Sequence, residues 1–193
     1  SATAYGGNFQ NGMPWIDPAD QGWERKFDYL IVHESGHEWF ACNITFKDIA
    51  DIWIHESFTT YSEGLYVEYH YGKVAGEDYL IDARKGIKND KPMIGDYGIH
   101  DVSYSGDNYP KGAVILHMLR QVINDDVKWR SILRGLNSAF YHQTVTTKQV
   151  EDYIALQAGL PLDAFWDQYL RTNQLPELEY FNDEQSISYR WTN

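Results

Sequence analysis

The sequence predicts a mainly α-helical fold with minor β structure at its two ends. Three observations carry this expectation. Between residues 24 and 172, apolar side chains recur every three or four positions in segment after segment, the period of a helix with one buried face. Alternation is confined to the ends, in the opening Ser1 to Trp15 and in the closing Leu178 to Trp191. With 43% apolar and 16% aromatic residues, the 193-residue chain has enough hydrophobic material for a packed core, so one main domain is the default.

Taken in order, Ser1 to Trp15 mixes small, aromatic and glycine residues and reads as a strand entering a loop. Glu24 to Ala41 places Phe27, Leu30, Ile31 and Glu34 at helical spacing. A second helix is predicted over Ile52 to Tyr71, where Ile52, Phe58, Tyr61, Leu65 and Tyr69 precede the stop at Gly72. A third, Ala75 to Asn89, ends ahead of Pro92, and Pro92 to Asn108, rich in Gly, Asp, Ser and Tyr, reads as a long surface loop. Helices follow over Pro110 to Ile123, Val127 to Tyr141, Lys148 to Ala158 and Leu162 to Thr172. Thr146 and Gln149 form a capping-box pattern at the third of these. Residues 1–180 are read as one catalytic domain, and residues 181–193 as the start of a further β segment or a tail.

The formal charge of −12 argues against nucleic acid and anionic lipid surfaces as partners, because the summed field repels both. Cys42 is the single cysteine, which rules out an intrachain disulfide and a cysteine-rich zinc knuckle; it reads as a buried core thiol. No signal peptide and no apolar run of membrane-spanning length occurs in the segment. The compartment stays open between cytoplasmic and bacterial periplasmic or secreted.

One stretch carries chemistry. In HESGHEWF, His33 and His37 lie four apart, on one face of the expected helix, where two imidazoles can reach a single ion. Glu34, one position on, sits beside such an ion rather than on it, placed to deprotonate a water. A catalytic zinc site needs a third protein ligand. Glu56 follows His37 with 18 residues between, and a turn between the two helices brings it back to the ion. By composition alone an HExxH arises in about one such sequence in seventy, and the added glutamate lowers this to about one in a thousand. A helix face of satisfied polar residues is therefore a weak rival.

These residues resemble the zinc aminopeptidase family that includes aminopeptidase N, puromycin-sensitive aminopeptidase and leukotriene hydrolase. His33, Glu34, His37 and Glu56 match its HExxH-x18-E signature, and Trp53, Glu56, Phe58, Thr60 and Tyr61 match its W-L-N-E-G-F-A-T-Y run. The resemblance implies a thermolysin-like catalytic domain, one Zn2+ held by His33, His37 and Glu56, and Glu34 as general base. Asp101 to Leu119 resembles the family's Y-x-K-G-A motif. It implies that Tyr109 steadies the oxyanion and that Lys111 and Gly112 hold the corner. The implied activity is hydrolysis of the N-terminal bond of peptides with a free N-terminus. An inactive zinc-retaining scaffold module and a thermolysin-like endopeptidase are the rivals.

Four further residues are weaker candidates for substrate contact or ligand support: Tyr104, Glu63, Asp101 and Thr60. Glu63, seven residues after Glu56 on the same helix face, can orient a ligand histidine. His55 points away from the ion, and Trp39 and Trp53 read as core packing. Two departures from the family stand out. Ala41 and Cys42 occupy the place of a single glycine, and the G-x-M-E-N motif, whose glutamate binds the substrate amine, is missing. The domain is thus expected to be truncated at its N-terminal side, and zinc binding to survive better than peptidase activity.

Overall fold

The computed structural model of the chain describes residues 23, 26–99, 105–183 and 185–192. The expected opening strand, Ser1 to Trp15, lies outside them. Among the described residues the fold is mainly helical, in the order α1 (Tyr29–Gly36), β1 (Ile44–Phe46), α2 (Trp53–Tyr71), α3 (Lys73–Asp82), α4 (Pro110–Ile123), α5 (Asp126–Ala139), β2 (Gln143–Val145), α6 (Thr147–Ala158), α7 (Asp163–Trp166), β3 (Glu177–Asn182) and β4 (Ile187–Thr192). None of these helices is long and apolar enough to cross a membrane.

Local groups decide where elements begin and end. Asp28 Oδ1 accepts the Ile31 amide at 3.2 Å and starts α1 at Tyr29, later than the predicted Glu24. The same helix stops at Gly36 instead of reaching Ala41. The chain then passes through a wide turn, Glu38–Asn43, in which the Cys42 amide donates to the His37 carbonyl at 2.9 Å. Tertiary contacts force this exit. Asn43 donates to the Asn137 carbonyl at 3.1 Å and accepts the His142 amide at 2.9 Å, and the following residues pair in parallel with β2, Ile44 opposite Gln143 and Phe46 opposite Val145.

The pair β1–β2 was not predicted, since three residues a side are too few to show alternation. Helix α3 starts at Lys73 and ends at Asp82 with a tighter turn to Gly86, shorter than the expected Ala75 to Asn89. Helix α4 has the predicted limits, and α6 carries the Thr146–Gln149 capping box in both directions. The expected Leu162 to Thr172 helix is α7 followed by a wide turn, Asp167–Arg171. The tail is an antiparallel hairpin with Leu178 opposite Trp191 and Tyr180 opposite Tyr189, so these four side chains share one exposed face.

Helix α2 is the axis of the molecule. Ile54, Phe58 and Tyr61, at spacings of four and three, are each 1% exposed and face the core formed with Leu116 and Leu119 of α4, Trp129 and Leu136 of α5, and Val150 and Ile154 of α6. Its N-terminal end is fixed by a buried polar chain. Trp53 Nε1 donates to Thr147 Oγ1 at 2.7 Å, and Thr147 Oγ1 donates to Asp51 Oδ1 at 2.5 Å. Further along, Arg120 of α4 forms a bidentate pair with Glu68 and a third bond to Asp126 of α5. Two expectations are corrected here. Cys42 is exposed, and Trp39 is 56% exposed, because both sit in the wide turn rather than on a helix facing the core.

His55 ties β1 to α2: its Nε2 accepts the Phe46 amide at 3.0 Å and its ring lies 4.1 Å from that of Phe46. Burial, reinforced by the nearby His37, lowers its pKa from 6.5 to about 4. The native imidazole is thus neutral where the unfolded one takes a proton, so stability present above pH 6.5 is lost as pH falls toward 4. Urea unfolding across that window is expected to show a loss of about 1–3 kcal/mol. A His55→Asn variant, which keeps an acceptor without the titration, is expected to flatten the slope.

Candidate metal and catalytic site

Helix α1 crosses α2 so that three electron-rich side chains converge. A ligand atom from each of His33, His37 and Glu56 lies within 4.8 Å of the others. Glu56 Oε2 is 3.3 Å from His33 Nε2 and 3.6 Å from His37 Nε2. The helices meet this closely because Gly36, between the two histidines, has no side chain. A Cβ there would stand 2.9 Å from Thr59 Cγ2 on α2.

The outer nitrogen of each imidazole is engaged. His33 Nδ1 lies 2.8 Å from Glu63 Oε1, and the Tyr79 hydroxyl of α3 donates to the other oxygen of Glu63. His37 Nδ1 lies 3.1 Å from the Phe40 carbonyl, which can only accept, so this nitrogen carries the hydrogen. With Nδ1 engaged outward on both rings, both Nε2 atoms face the shared space, where His33 Nε2 lies against Glu56 and a bound cation would take the place of its proton. Such outer partners fix tautomer and ring orientation at metal-binding histidines.

The electrostatics fit a cation. Burial alone lowers the His33 pKa, but hydrogen bonds to Glu56 and Glu63 outweigh it and raise it from 6.5 to about 9. Burial pushes the Glu63 carboxyl up, against the opposing pull of His33 and Tyr79. Two imidazoles and one carboxylate converging, with second acceptors behind, are a donor set suited to a divalent ion of the zinc type.

Glu34 is half-buried on α1, and no described residue engages its carboxylate. The Tyr109 ring stacks on that of His33, centroids 5.8 Å apart and planes 26° apart. Its place is set by the corner before α4. Ser57 Oγ donates to the Asn108 carbonyl at 2.8 Å, and Lys111 Nζ donates to Asn89 Oδ1 at 2.9 Å. A Cβ on Gly112 would fall 1.8 Å from Ser57 Oγ, so only glycine lets this corner lie against the residue next to Glu56.

The weaker candidates divide. Glu63 lies against His33, whereas Thr60 is buried with its hydroxyl unpartnered among the described residues. Asp101 and Tyr104 lie outside the described residues. Sequence reasoning missed Thr59, Tyr79 and the Phe40 carbonyl. Thr59, three residues after Glu56, was reachable from helical spacing; Tyr79 comes from a separate helix and left no local signal.

The Peptidase family M1 domain matches residues 16–169 of the chain. Among sequences, the chain is 29% identical over 119 residues to the probable aminopeptidase 1 of Saccharolobus solfataricus, covering 56% of this chain and 15% of that protein. It is 28% identical over 162 residues to aminopeptidase N of Lactobacillus helveticus, covering 77% and 19%. Among solved structures, a mutant M1 zinc metallopeptidase from Deinococcus radiodurans bound to a Tyr-Ser-Ala substrate superposes with a TM-score of 0.65 at 25% identity, covering 78% of this chain and 34% of that one. The chain therefore spans a small part of each curated relative.

Two outcomes are expected from the packing. Gly112→Ala should cost about 1–3 kcal/mol by overpacking against Ser57, read as a lower unfolding midpoint. Gly106→Ala, where a Cβ meets nothing within 4 Å, should leave the midpoint unchanged. Tyr79→Phe should weaken metal uptake by roughly tenfold through Glu63, measured by chelator competition.

Proposed function

The chain belongs to peptidase family M1, and on that footing we propose that it is the thermolysin-like catalytic part of a zinc-dependent aminopeptidase. The reading rests above all on one observation. The two imidazoles and the carboxylate of the HExxH-x18-E signature converge within 4.8 Å, with both Nδ1 atoms already engaged elsewhere.

His33, His37 and Glu56 would hold the ion. Zn2+ bound there would supply Lewis acidity, acidifying water and polarising the scissile carbonyl. Glu34, which meets no competing donor among the described residues, takes the proton of the attacking water and passes it to the leaving amine. Tyr109, stacked on His33, donates to the oxygen that gains charge as the carbonyl carbon becomes tetrahedral. Glu63 keeps His33 in its Nε2-ligating tautomer.

The substrate class proposed is peptides with a free N-terminus, in line with relatives named as aminopeptidases. The 193 residues contain no G-x-M-E-N motif, so the chain alone is expected to bind zinc more readily than it turns over peptide.

Glu34→Gln is expected to retain one zinc by elemental analysis while turnover in the full-length protein falls by about 10²–10⁴. Loss of zinc together with turnover would move Glu34 from base to ligand. Glu56→Ala should lose the metal. Comparing a peptide with its N-acetylated twin decides between exopeptidase and endopeptidase, the former requiring the free amine. A full-length protein that holds zinc but cleaves neither would be an inactive scaffold.

A further inference from the structure

Resting on the reading of His37 as a zinc ligand, we infer that Thr59 is the positioning residue that holds its imidazole. His37 needs such a partner because it is not inside a helix. It caps the C-terminal end of α1, and the backbone leaves helical geometry three residues later, at Phe40 (φ −117°, ψ 72°). The turn that supplies the Phe40 carbonyl is therefore the irregular part of the site.

Thr59 supplies the regular part. It lies in the middle of α2, is fully buried, and its Oγ1 stands 3.2 Å from His37 Nδ1. Its one hydroxyl hydrogen is given to the His55 carbonyl at 2.5 Å, so Oγ1 can only accept from His37. The His37 Nδ1–H is thus shared between two acceptors, one on the wide turn and one on the rigid helix that also carries Glu56. The rotamer of Thr59 is set by its methyl, which lies against Gly36, the residue before His37. Methyl and hydroxyl together transmit the register of α2 to the ring, so that His37 Nε2 and Glu56 are positioned by the same element.

The test is zinc affinity of the 193-residue chain by chelator competition. Thr59→Val keeps the methyl and the shape but removes the acceptor, and is expected to bind zinc about 10–100-fold more weakly. Thr59→Ser restores the acceptor and is expected to stay near wild type. The unfolding midpoint of the metal-free protein should be alike in all three. ¹⁵N spectra of the metal-free chain should show less of the Nδ1–H tautomer of His37 in the Val variant alone. Wild-type affinity in Thr59→Val, or an equal loss in Thr59→Ser, overturns the inference. The reading beneath it has a separate control: should His37→Ala leave zinc affinity unchanged, His37 is no ligand and this inference falls with it.

Discussion

Anionic and electron-rich groups packed into one buried space must be balanced by a proton or a cation, and that constraint organises this molecule. Glu56 and Glu63 both address His33, and Glu56 also addresses His37. Among the described residues no lysine or arginine pairs with either carboxylate, since the arginine ion pairs lie elsewhere, on Glu68, Asp126, Glu151, Asp167 and Glu179. Leaving such a cluster uncompensated is costly in a low-dielectric interior. A divalent ion held by His33, His37 and Glu56, as proposed, would relieve it, with Glu63 and Tyr79 behind as supports.

Holding that cluster together is a matter of close backbone approach to α2. This helix is met by α1 where Gly36 lies on Thr59 and by the α4 corner where Gly112 lies on Ser57. Each contact falls within one turn of Glu56. Any side chain at these two glycines would push apart the elements that carry the two histidines and Tyr109. The same helix drives Ile54, Phe58 and Tyr61 into the hydrophobic core. Stability and site geometry therefore share one element, and movement of α2 would disturb both.

The wide turn after His37 shows how local and tertiary demands compete. Helical periodicity carries the segment to Ala41, yet Asn43 is drawn to Asn137 and His142, and Ile44 to Phe46 into register with β2. The helix gives way because those partners satisfy more backbone and side-chain groups than one further turn would. Exposure of Trp39 and Cys42 follows from the same exit.

By itself the sequence determined the helical class, the limits of α4, the capping box of α6 and the residues of the HExxH-x18-E signature, because each is written in short-range spacing or in a motif. Tertiary structure decided the rest. The early end of α1 and the parallel pair β1–β2 depend on partners about a hundred residues away. The roles of Thr59 and Tyr79 exist only once α2 and α3 are packed, since a hydroxyl in a sequence names no partner. Periodicity records which face of an element is buried; what that face meets is settled only by the chain's return from elsewhere.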